Sequence, residues 1–104
     1  MWNEPTPKQL AKLPKLHETG NTPTEEIIIY LHFFIGGSDW DVSEFDGKDR
    51  FFGYVVLNND YQNAEWGYFS LSELKLISVN GIEIDNDLHW EPCEAGKVEN
   101  IMRK

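Results

Sequence analysis

Glu65-Trp66-Gly67-Tyr68-Phe69-Ser70-Leu71-Ser72-Glu73-Leu74 is the stretch whose reading decides the fold. Residues 65–69 are rich in aromatic side chains and read as a strand. Ser70 and Glu73 then stand at capping-box spacing, each able to satisfy a free backbone donor of the other, so a helical turn over 71–75 follows directly. Downstream, residues 77–84 read as a strand pair folded at Asn80-Gly81, a strong hairpin-turn dipeptide. The segment Asp87-Leu88-His89-Trp90-Glu91-Pro92 reads as an exit turn, with Pro92 ending any ordered strand. Residues 95–103 predict a short C-terminal helix through Val98, Ile101 and Met102.

Upstream of that stretch the pattern is mostly strand and turn. Thr6 can cap a short helix, Pro7 suits its first position, Leu10 and Leu13 share a face, and Pro14 stops it. Residues 15–25 read as a loop, broken by Gly20, Asn21 and Pro23. Residues 27–35 form the strongest strand, apolar on both faces and therefore expected at the centre of the sheet. Residues 40–45 alternate, placing Trp40 and Val42 opposite Asp41 and Ser43. Asp46-Gly47-Lys48-Asp49 is a turn, 51–58 a third strand, and 58–63 a polar loop. Short connections between strands, with helices at the ends and one after Ser70, predict an α+β fold. Its sheet is mainly antiparallel, twisted, and of about five or six strands, in one domain over residues 1–104.

The charge is unusual. Eighteen Asp and Glu oppose nine Lys and Arg, a net charge of -9. Between Glu18 and Glu73 the only cations are Lys48 and Arg50, and between Leu76 and Gly96 there is none. Lys8, Lys12, Lys15, Lys97, Arg103 and Lys104 lie near the ends. Such a field repels phosphate backbones and attracts basic surfaces, so the expected partner is a protein with a basic surface rather than nucleic acid. The single cysteine, Cys93, excludes an intramolecular disulfide. No apolar run approaches the ~20 residues that span a bilayer, so a cytoplasmic protein without membrane contact is expected.

Three motifs carry a family resemblance: Phe51-Phe52-Gly53, the Gly67-Tyr68-Phe69-Ser70-Leu71-Ser72-Glu73-Leu74 run, and Asp87-Leu88-His89-Trp90-Glu91-Pro92, with Leu13-Pro14-Lys15-Leu16 before them. Together they resemble a small bacterial family of unknown function. Its pattern includes Phe-Phe-Gly, Gly-Tyr-Phe-Ser-x-x-Glu-Leu and Asp-Leu-His-Phe-x-Pro. Trp90 stands here in place of the usual Phe. Members are similar to proteins of plasmids, conjugative elements, prophages and phages. The resemblance implies an accessory protein of a mobile genetic element, and it implies no catalytic residues.

Candidate chemistry is sparse. His32 lies mid-strand beside Ile28, Tyr30 and Phe34, where a hydrogen-bonded core histidine is the expectation. His89, Glu91 and Cys93 share one face of an extended segment, but one short strand rarely closes a metal site. No metal or other cofactor is therefore expected, and His89 and Trp90 are expected to pack the end of the chain against the sheet. Glu91 and Glu94 beside Cys93 disfavour its thiolate. Asp39, Asp41, Glu44, Asp46 and Asp49 read as a solvated acidic strand and turn, suited to a basic partner, with Tyr61 an aromatic contact at a loop tip. The leading reading is an acidic interaction module of a mobile element. It would inhibit a host nucleic-acid-binding defence complex by phosphate mimicry. The alternatives are a small hydrolase or ligand-binding domain using His32 or His89 with Asp39 or Asp41, and an accessory subunit of element replication or transfer.

Overall fold

A computed structural model describes residues 2–102. In chain order it holds helix α1 (Pro7–Ala11), a 3-10 turn (Thr24–Glu26), strands β1 (Ile28–Ile29), β2 (Leu31–Ile35), β3 (Ser38–Phe45), β4 (Arg50–Val56) and β5 (Glu65–Ser70), and helix α2 (Leu71–Leu74). There follow β6 (Ser78–Val79), β7 (Ile82–Glu83), β8 (Asp85–Asn86), β9 (Cys93–Glu94), a 3-10 turn (Ala95–Lys97) and helix α3 (Glu99–Met102). Five strands form an antiparallel sheet in the order β5-β4-β3-β2-β8, while β1 pairs with β9 and β6 with β7. The α+β expectation holds, with short helices at both ends and after Ser70. Arg103, placed in the expected last helix, lies outside the described residues.

The helix starts are as local chemistry requires. Thr6 and Gln9 form a reciprocal capping box around α1. The Ser70 hydroxyl accepts from the Glu73 N–H at 3.1 Å, but the Glu73 carboxylate takes the Ser70 hydroxyl at 2.9 Å instead of the backbone donor of Ser70. Asn80 and Gly81 both have positive φ, 53° and 80°, which a two-residue hairpin turn of this kind needs.

Two expectations are corrected. The strand expected over 27–35 breaks at Tyr30: β1 turns away to pair with β9, and only β2 joins the large sheet. The centre of the sheet is therefore β3, the strand with the most acidic sequence. Beyond Pro92, where no ordered strand was expected, β9 forms because its partner is that displaced β1: Ile29 pairs with Cys93 and Ile28 with Glu94.

The sheet has two unlike faces. Leu31, Phe33, Trp40, Val42, Phe51 and Phe69 point to the first, where Leu74 and Ile84 complete a buried cluster and Leu10 and Leu13 pack against it. Phe51 is its hub, with ring centroids of Phe45, Phe69 and Phe33 at 4.9, 5.7 and 6.1 Å. On the second face Tyr54 and Val56 meet Ile29, Ala95, Val98 and Ile101, brought over by β9 and α3. The register of β3 shifts between Val42 and Glu44, a bulge at Ser43, whose hydroxyl donates to the Phe52 carbonyl at 3.0 Å. Gly53 lies opposite Val42, and a methyl group added there would overlap the Asp41 carbonyl oxygen. Only glycine admits this close approach.

Candidate functional site

The second face carries almost all the unusual chemistry. Pairing sets His32 opposite Asp41 and Asp41 opposite Tyr54, so the three stand side by side across β2, β3 and β4. Strand β8 pairs with β2 and ends beside it, and the Asp87 N–H donates to the His32 carbonyl at 2.9 Å. That bond places the Asp87 carboxylate at the imidazole. His32 Nε2 lies 2.8 Å from Asp39 Oδ1, and Nδ1 lies 3.4 Å from Asp87 Oδ2. Phe34 stacks on the ring at 5.3 Å between centroids, and Trp90 leans on it at 5.0 Å. The Trp90 indole is itself fixed, donating to the Ile29 carbonyl at 3.0 Å.

Burial works to lower the His32 pKa, but the Asp39 hydrogen bond, the Asp41 and Asp39 charges and the Asp87 hydrogen bond together outweigh it. The net shift is upward from the ordinary 6.5. A carboxylate oxygen faces each ring nitrogen, so neither nitrogen is open to a substrate proton. The arrangement is a clamp joining β2, β3 and the 87–90 turn.

Asp41 is fully buried. Burial pushes its carboxyl up to about 6, against a downward pull from the Asn100 amide, which donates to Oδ2, and from His32. Among the described residues, its Oδ1 and the neighbouring Tyr54 hydroxyl have no hydrogen-bond partner. Burial and then the Asp41 charge also raise the Tyr54 phenol and the Cys93 thiol. Cys93 is thus held as a thiol, with burial and Asp41 ahead of Glu94 as the cause.

The acidic strip expected from Asp39 to Asp49 is solvated only in part, Asp41 and Glu44 being buried and Asp46 exposed, and each member has its own hydrogen-bond partners. Asp39 holds His32, and Asp41 is sealed under α3. Glu44 is 3% exposed and accepts the backbone N–H of His17 at 2.8 Å and of Thr19 at 3.1 Å, together with the Thr19 hydroxyl. Asp46 closes its turn by accepting from the N–H groups of Lys48, Asp49 and Arg50, and the bonds from Lys48 and Asp49 lead in holding its pKa down. Asp49 accepts from the Ser72 N–H and hydroxyl at 2.8 and 2.6 Å, anchoring α2. Asp41 and Glu44 depart from the expected solvated strip because alternation assigns a face, not what covers it. The second face is roofed by residues far along the chain.

Tyr61 is half-buried and packs against the second cluster rather than standing at a loop tip. Trp90 does pack the end of the chain, whereas His89 is exposed, and its N–H donates to Asp87 Oδ1 at 3.1 Å. Among the described residues, no three His, Cys, Asp or Glu side chains converge as metal ligands. No helix there is long and apolar enough to cross a membrane.

Sequence reasoning missed a concave region beside β5. One cleft, of about 240 Å³, has Phe52, Trp66 and Tyr68 along the sheet, His17 and Thr19 on the loop side, and Glu44 among its lining residues. A second, of about 360 Å³, shares Thr24 and Trp66 with the first and is lined further by Tyr54, Glu25, Glu65 and Met102. Among the described residues, neither lining includes Lys or Arg. Phe52 stacks on Trp66 at 6.0 Å and tilts against Tyr68 at 5.1 Å. The available signal was the parity of Trp66 and Tyr68 in the strand, since both must share one face of β5.

Comparison of the chain with family models, curated proteins and solved structures finds no match.

Proposed function

We propose that this protein is a non-catalytic interaction module for a protein with a basic surface. The observation that carries the reading is the concave, aromatic region beside β5. Its two clefts are lined by Glu25, Glu44 and Glu65 and, among the described residues, by no Lys or Arg. Of the eighteen carboxylates in the chain, only Asp41 and Glu44 are buried, so the negative field is displayed outward. Complementary fields of this kind speed encounter with a basic surface and repel nucleic acid. The occupied nitrogens of His32 weigh against the hydrolase alternative. The resemblance of the Phe51-Phe52-Gly53, Gly67–Leu74 and Asp87–Pro92 motifs to a mobile-element family supports a host nucleic-acid-binding defence complex as the target. The carboxylates would occupy its phosphate channel.

The test is affinity purification from bacterial cells followed by binding kinetics with the purified partner at low and high salt. The expected partner is a nucleic-acid-binding protein that releases its nucleic acid on association. Its association rate should fall about tenfold or more as salt screens the exposed charges. Association at a salt-independent rate would refute the reading, and so would direct binding of nucleic acid by this protein alone.

A further inference from the structure

Strand β5 ends the five-stranded sheet. The direction of its backbone groups follows from two bonds. The Leu71 N–H donates to the Asp49 carbonyl at 2.8 Å, and the Asp46 N–H donates to the Arg50 carbonyl at 2.9 Å. With Arg50 opposite Ser70, alternation turns the backbone groups of Glu65, Gly67 and Phe69 toward β4. Those of Trp66, Tyr68 and Ser70 turn outward. The outward residues Trp66 and Tyr68 are the same two whose side chains wall the aromatic cleft. Between them in sequence, Gly67 would carry a side chain on the opposite face of the strand, where a methyl group would meet nothing within 4 Å.

Charge selects the occupant. A second copy of a chain carrying -9 would bring Glu65 and its neighbours against their own kind. A cationic side chain meets the opposite situation. Glu44 sits almost wholly buried in the cleft lining, and its hydrogen-bond donors, His17 N–H and the Thr19 N–H and hydroxyl, are neutral. Three aromatic rings beside it present faces to which cations are attracted. Tyr68 already accepts one: the Arg50 guanidinium lies 5.8 Å from its ring centroid, on the side of a neighbouring cleft that Arg50 lines.

We propose that the outer edge of β5 receives an extended, arginine- or lysine-bearing segment as an added strand, and that one of its cationic side chains enters the cleft among Phe52, Trp66 and Tyr68 beside Glu44. This inference rests on the interaction-module reading and names the partner's contacting element. Main-chain bonds to Trp66, Tyr68 and Ser70 supply affinity, and the aromatic cleft with Glu44 supplies the choice of a cation.

The probe is a short peptide alternating arginine and threonine, with a control in which citrulline replaces arginine, titrated into the whole protein and followed by amide and indole NMR. The arginine peptide should shift the Trp66 indole and slow hydrogen exchange at the Trp66, Tyr68 and Ser70 amides. Citrulline should bind at least about tenfold more weakly. Tyr68→Ala should lower affinity about tenfold through the lost ring. Tyr68→Pro should lower it further, because it removes an outward N–H without touching the β4 ladder. Glu44→Gln, which keeps an acceptor for the loop donors, should erase the preference for arginine over citrulline. Shifts confined to other surfaces, equal binding of both peptides, or a β5-paired homodimer would overturn the inference. If the purified partner still associates in a salt-dependent way after such a result, the broader reading stands and only the β5 site falls.

Discussion

The two faces of one sheet differ in kind. On the first, Phe33, Phe51 and Val42 are fully buried among apolar neighbours, and apolar side chains such as Leu10, Leu13, Leu74 and Ile84 cover them. On the second, the same strands present His32, Asp41, Glu44 and Tyr54, and the cover comes from residues 15–24 and 87–102. Hydrophobic burial on the first face needs no exact partner, because it is non-directional. Each buried polar group on the second needs a donor or acceptor at hydrogen-bonding distance, which only the finished fold supplies. The first face carries one apolar cluster. The second sets a buried apolar cluster around Ile29 and Val56 between a polar clamp on the β2 side and an open aromatic cleft on the β5 side.

The largest expected effect lies on the first face. Phe51→Ala should cost about 4 kcal/mol by urea unfolding. Trp66→Ala, a larger deletion in a half-buried position on the second face, should cost distinctly less. Equal costs would break the contrast between a structural and a displayed face. Gly53→Ala tests the joint between the faces, where the bulge of β3 meets β4. Its methyl group must displace the Asp41 backbone, so a loss of about 3 kcal/mol is expected. An unchanged midpoint would mean that the strands have room to part there.

A pH titration sharpens the contrast further. The Asp41 carboxyl is raised from 3.8 to about 6, so its favourable share is complete below 3.8 and is lost as pH rises through about 6. The raised His32 acts in the same direction at higher pH: its share is complete below 6.5 and is lost as pH rises through its folded value. Stability to urea should therefore fall steadily from mildly acidic to alkaline pH. Asp41→Asn should flatten the lower part of the profile and His32→Gln the upper. A profile that rises over this range would contradict the cluster as described.

Much of the first face was legible in the sequence. Apolar spacing turns Leu10 of α1 and Leu13 just beyond it toward the first cluster, Trp40 and Val42 share parity in β3, and Ser70 and Asn80-Gly81 mark their own caps and turns. These signals are local, and local chemistry decides them. The division of residues 27–35 was not legible, because Ile-Ile-Ile-Tyr-Leu has the same strand preference whether it pairs with β3 or with β9. Nor was the burial of Asp41 and Glu44. Their covering partners, Asn100 and the backbone of His17 and Thr19, lie 59, 27 and 25 residues away, with no pattern linking them. The aromatic cleft needed the loop 15–25 to be placed over β4 and β5, and Glu44 places it.

Binding by separated variants distinguishes the two sides of the second face. On the proposed function, the His32 clamp serves structure and the β5 side meets the partner. Association of the purified basic partner with His32→Gln and with the double change Glu25→Gln, Glu65→Gln would be measured beside the wild type, at a temperature where all three are folded. The account predicts wild-type affinity for His32→Gln and an association rate reduced severalfold for the double variant. Loss of binding in His32→Gln with full retention in the double variant would contradict it.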